Sequence, residues 1–181
     1  SATPTHSPTI RLLGSRPATA CNLTPDERAT QIKTLMSTVS DPITFNDPTS
    51  PQSQAINWIT NDDVQVLCPN EIAEGCSRGG TINPMIQRYA LAVFYFATNG
   101  DITWNQCSAA EDVGNAASVA EADANCERQV TPFGVANTRV GDTSTDAWLG
   151  PVNECEWGGA ACWGSDTPNL NLCLDQLDFG K

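Results

Sequence analysis

The eight cysteines of this chain, Cys21, Cys68, Cys76, Cys107, Cys126, Cys155, Cys162 and Cys173, could hold a metal, exchange disulfides or form structural bridges. Zinc sites cluster thiolates or imidazoles at short spacing, whereas this chain has no Cys-x-x-Cys pair and a single histidine. That histidine, His6, lies in a proline-, threonine- and serine-rich stretch with nothing to orient it, so neither ligation nor base catalysis is expected there. An even number of cysteines spread along the chain reads instead as disulfides. Those persist in oxidising surroundings: the secretory pathway, the extracellular space or cell wall, or a vesicle lumen. About a hundred pairings are formally open. Local closure favours Cys68 with Cys76, Cys107 with Cys126 and Cys155 with Cys162, leaving Cys21 and Cys173 to tie the ends.

Carboxylates are the other abundant chemistry. Twenty-one acidic residues against nine basic ones give a formal charge of -12, which repels phosphate backbones and anionic lipid headgroups. Nucleic acid and membrane surfaces are therefore poor partners. Polyamines or polycationic peptides are better ones where acids converge, as at Asp62 and Asp63, Glu111 and Asp112, and Glu121 and Asp123. Asp62 and Asp63 lack the alternating oxygens of a calcium loop and read as a solvated turn. The sequence carries no nucleophile elbow, zincin helix or P-loop, and no carboxylate spacing selects a glycosidase pair. A non-enzyme without cofactor or metal is expected. Asn22-Leu23-Thr24 is an N-glycosylation acceptor triplet. The opening at Ser1 without a methionine or an apolar leader fits a mature or a trimmed form, and the longest apolar run, Tyr89 to Ala97, falls short of the roughly 20 residues a spanning helix needs.

Several elements must position these groups. Residues 1–22 read as an extended arm, and 23–181 as a single mainly α, disulfide-stapled helical domain with long loops and little strand. Thr24-Pro25-Asp26-Glu27 is a capping box with proline at the first helical position. The stripe Ala29, Ile32, Leu35, Met36 and Val39 extends that helix until Asp41-Pro42. A second helix starts at Ser50-Pro51, buries Ala55, Ile56, Trp58 and Ile59, and ends near Asn61. Asn83-Pro84 opens a third, apolar almost all round and stopped by Asn99-Gly100, which makes it the central helix. Residues 109–126 read as a stapled loop whose helical tendency is interrupted by Gly114 and Asn115. Residues 127–146 read as weak strand or loop.

The strings SPQSQAINWITNDD (50–63), IQRYALAVFYFATNGDITW (86–104) and AWLGPVNECEWGGAACWG (147–164) resemble the N-terminal region of diatom leucine-rich-repeat surface proteins. Cys155, Trp157, Gly158 and Cys162 are also similar to the capping motif that precedes the repeats of plant receptor ectodomains. The insertion from Cys107 to Asp146 departs from the diatom pattern. The resemblance implies a Cys155–Cys162 bridge and a tryptophan covering the apolar end of a repeat stack. It also implies a first repeat-like strand through Leu170, Leu172, Leu174 and Leu177. Acidity, cysteines and lineage further resemble silica-associated diatom proteins of the silicanin type. On that resemblance the expected function is an assembly scaffold of silica cell-wall formation that binds polyamines. It would self-associate between about pH 4 and 6 through patches at Trp148, Trp157 and Trp163. The alternative is a capping and protein-recognition module of a repeat receptor.

Overall fold

In the computed structural model, residues 21–71, 73–76, 80–126, 146–163 and 173–177 are described. Thr24 closes both halves of its capping box: its hydroxyl accepts the Glu27 N–H at 3.3 Å, and its own N–H donates to Glu27 Oε2 at 2.8 Å. Helix α1 (Pro25–Met36) follows, with Ile32 and Met36 buried. The expected stripe stops there. The N–H groups of Thr38 and Val39 bond the carbonyls three residues back, which tightens the turn and leaves Val39 51% exposed.

A 3₁₀ turn (Pro42–Asn46) leads to α2 (Pro51–Asn61), capped by the Ser50 side chain and burying Ala55, Ile56, Trp58 and Ile59 as the periodicity requires. Helix α3 (Pro84–Ala97) begins where Asn83 accepts the Met85 N–H at 2.9 Å. It packs against both α1 and α2 and buries Met85, Tyr89, Leu91, Ala92 and Tyr95. Asn99 takes the left-handed conformation that ends α3, at φ 52°. The chain then resumes as one helical turn, α4 (Gly100–Thr103), whose Gly100 lies so close to the Tyr95 ring that a Cβ would collide with it.

Asn115 is a start signal rather than an interruption. Its side chain accepts the Ala117 N–H and caps α5 (Ala116–Ala124), so residues 109–126 contain a helix and not only a stapled loop. Strand is confined to two antiparallel ribbons among the described residues, β1 (Ala73–Cys76) with β2 (Gly80–Ile82), and β3 (Ala160–Trp163) with β4 (Cys173–Leu177). The fold is mainly α, with little strand, as its patterning implies. Residues 127–145 and the arm up to residue 20 lie outside the described residues, as do Leu170 and Leu172.

The disulfides correct part of the local-closure pairing. Cys107–Cys126 forms as expected, but Cys21 bonds Cys68 rather than Cys173, and Cys68 is thereby unavailable to Cys76. The start of α1 is thus pinned to the stretch after α2, with Cα atoms 5.5 Å apart, a contact of two packed helices that sequence proximity cannot reveal. Cys155 is bridged too. The side chains of Cys76, Cys162 and Cys173, and with them the expected Cys155–Cys162 pairing, lie outside the described residues.

Candidate functional site

Arg88, fully buried in the middle of α3, uses all five of its guanidinium donors. Nε and Nη2 form a fork on Asp63, each at 2.8 Å; Nη2 also donates to the Gly150 carbonyl at 2.9 Å. Nη1 donates to the Val152 carbonyl at 3.0 Å and to Glu154 Oε2 at 3.3 Å. The other Glu154 oxygen accepts from Gln87 Nε2 at 2.8 Å. The guanidinium carbon lies 5.2 Å from the Trp58 ring centre and 4.7 Å from that of Trp157, so two indole faces flank the cation. Asp63 stands just past α2, where the helix dipole disfavours negative charge, and Arg88 supplies the compensating cation. Asp63 is therefore no solvated turn residue. Asp62 caps α2 half-buried beside it.

Around this ion network the aromatic side chains form one cluster. Trp148 sits 5.4 Å from Trp157 and 4.9 Å from Trp104, and Tyr95 packs 5.1 Å from Trp104. Trp148 and Trp157 are both fully buried, which overturns the expectation that they form association patches on the surface; Trp163 lies outside the described side chains. They are buried because the 146–160 segment folds back onto α2 and α3. The Trp148 indole N–H donates to the Gly158 carbonyl at 2.7 Å, and a 3₁₀ turn (Glu154–Glu156) delivers Glu154 to Arg88. Gly158 lies directly against the Cys107–Cys126 bridge, so that a Cβ there would overlap both sulfurs. Burial pushes the Tyr95 phenol up to about 12, and its oxygen accepts the Ala109 N–H at 3.0 Å.

A second group of carboxylates lies at the edge of this segment. Asp123 of α5 accepts the Ala147 N–H at 2.9 Å, next to Asp146. Burial, and then the Asp123 charge, raises the Asp146 carboxyl above its ordinary range; burial, and then the Asp146 charge, does the same to Glu156. Glu111 and Glu121 are exposed and line a polar groove of about 450 Å³ together with Asn105, Ser118 and Asn125, while Asp112 is half-buried and accepts the Gly114 N–H. The acids expected to converge thus divide: Glu111 and Glu121 share a groove, Asp123 faces the 146–156 segment, and Asp63 is in the core. Asn22 is exposed. Among the described residues, no group of His, Cys, Asp and Glu is placed to hold a metal ion, and no helix is long and apolar enough to cross a membrane.

Sequence reasoning passed over Arg88, Gln87 and Glu154. The available signal was the pair Gln87-Arg88 inside a helix apolar on every side, where a charge has no route to water and must be matched. Comparison with family models, curated proteins and solved structures gave no match.

Proposed function

We propose that this chain is a non-catalytic interaction domain of an oxidising compartment, serving as the cap of a leucine-rich-repeat surface protein. The observation that carries this reading is the Arg88 lock. It joins the α2–α3 pair to the Trp157 turn, and that turn runs straight into the β3–β4 ribbon. A cap must close its own aromatic interior beside a strand-bearing end, and the buried Trp148–Trp157 cluster next to the β3–β4 ribbon supports that reading. With every Arg88 donor occupied by protein groups, this buried cation serves to hold segments together, which supports the cap reading. Disulfides suit the extracellular or lumenal location.

A second reading, the acidic scaffold of silica cell-wall formation, draws support from Asp146 and Glu156. Their raised carboxyls take up protons in mild acid and lower the charge that keeps copies apart. It loses the Trp148 and Trp157 contact patch. Light scattering from pH 7 to 4, with and without spermidine at two salt concentrations, separates the two. The cap stays monomeric and indifferent to spermidine. Reversible association above the isoelectric point, with salt-sensitive spermidine binding, would overturn the cap reading in favour of the scaffold.

A further inference from the structure

The acceptor triplet Asn22-Leu23-Thr24 occupies an unusual place in the fold. Asn22 is exposed and holds a left-handed backbone at φ 53°, flanked by the Cys21–Cys68 bridge on one side and the α1 capping box on the other. Leu23 is half-buried. The Thr24 hydroxyl, the group through which such a triplet is recognised, donates to Glu27 Oε2 at 2.8 Å while accepting the Glu27 N–H at 3.3 Å. Once folded, this hydroxyl is fully engaged, and the residue before the acceptor is tied to a chain segment 47 positions away.

From this we infer that Asn22 carries an N-linked glycan attached before the Cys21–Cys68 bridge and the α1 capping box close. The order has a physical basis. Cys68 follows Cys21 by 47 residues, so at synthesis rates of roughly 5–20 residues per second it emerges about 2–10 s later. Until then the bridge cannot form. An isolated helix the length of α1 is marginal in water, so Thr24 is not yet held by its capping partner either. In the transfer the Asn22 Nδ2 forms a bond to the anomeric carbon of a lipid-linked pyrophosphate oligosaccharide and loses one proton. The sugar's carbon–oxygen bond breaks, and the lipid pyrophosphate leaves with that electron pair. In the finished protein the glycan projects from the exposed turn before α1, away from the buried Arg88 network and the aromatic cluster. It therefore shields the start of α1 without touching the core.

The inference rests on the oxidising-compartment reading, and two measurements test it. First, the full chain is secreted from a eukaryotic host and analysed by non-reducing peptide mapping before and after peptide N-glycosidase. The expected product carries one glycan at Asn22 alongside oxidised Cys21 and Cys68. Asn22→Gln abolishes the glycan and Thr24→Ser keeps it. A bare Asn22 beside an intact Cys21–Cys68 bridge overturns the glycan, whereas free thiols at Cys21 and Cys68 in secreted protein count against the compartment reading. Second, unglycosylated chain is offered to the transferase with lipid-linked oligosaccharide, either folded and oxidised or reduced and unfolded. The unfolded chain is expected to be modified at least about tenfold faster, because the folded triplet must first open locally. Equal rates overturn the order of events.

Discussion

Two sets of carboxylates in this protein meet opposite surroundings. Asp63 and Glu154 are buried to within 2% of full enclosure, yet both are matched by the Arg88 guanidinium. Asp146 and Glu156 are only partly enclosed, but Asp146 feels the charge of Asp123, and Glu156 that of Asp146. A formal charge of -12 counts all four alike. Their charges are handled differently: the first pair is compensated as long as its cation is present, and the second disfavours the fold as long as it is ionised.

Removing the cation breaks the comparison most forcefully. Arg88→Met leaves two carboxylates enclosed without a counter-charge and strips donors from the Gly150 and Val152 carbonyls, a loss expected to cost about 3–5 kcal/mol. Urea denaturation should show a large fall in midpoint. Arg88→Lys should recover little, because a point charge cannot match the fork on Asp63 or lie flat between two indoles. A fall of under about 1 kcal/mol for Arg88→Met would mean that Asp63 and Glu154 find solvent after all, and the contrast between the two sets would vanish.

The seam between the two sets offers a smaller perturbation. Gly158 separates the Cys107–Cys126 bridge from the turn that carries Glu154 and Glu156. Gly158→Ala places a methyl group against both sulfurs, and overpacking of this kind costs roughly 1–3 kcal/mol. The thermal midpoint should fall accordingly, and near-ultraviolet circular dichroism from Trp148 and Trp157 should change. An unaltered midpoint would show that the bridge and the turn move independently.

How much of this was legible depended on the range of the interaction. Caps and periodicity act within a few residues, so Thr24, Ser50 and Asn83 announce their helices and Trp58 and Ile59 announce their buried face. Asn115 was open to the same reading, but the neighbouring Gly114 obscured it. The candidate site depends on contacts between residues 63, 88 and 154, and a composition that marks tryptophans as surface anchors says nothing about which loop folds over them. Val39 failed for a local reason, a 3₁₀ tightening after Met36 that no hydrophobic repeat encodes. The Cys21–Cys68 bridge required knowing that α1 and α2 are neighbours.

The smallest effect is also the one that sharpens the contrast, because it has the opposite sign. Asp146 and Glu156 bind protons more tightly in the fold than their ordinary values of 3.8 and 4.5 imply. Between those values and the raised ones the folded state holds more protons than the unfolded chain, so stability falls as pH rises through that window. Acidification from neutrality into the window just above those ordinary values should therefore raise the thermal midpoint. Both groups are only partly enclosed, so solvent screening keeps the gain small. Further acidification reverses the trend. Glu27 and Asp47 are held below their ordinary values, Glu27 by hydrogen bonds from Thr24 and Asp47 by hydrogen bonds from Thr49, and their contribution is lost as pH drops through those lowered values. The profile should have a shallow maximum in mild acid. Glu156→Gln removes one of the two raised carboxyls and the repulsion between them, so it should raise the midpoint at pH 7 and flatten the rise on mild acidification, leaving the acid limb unchanged. Calorimetry at closely spaced pH values decides the matter. A Glu156→Gln profile that runs parallel to that of the parent chain would show that Asp146 and Glu156 do not interact, and the second carboxylate set would be no set at all.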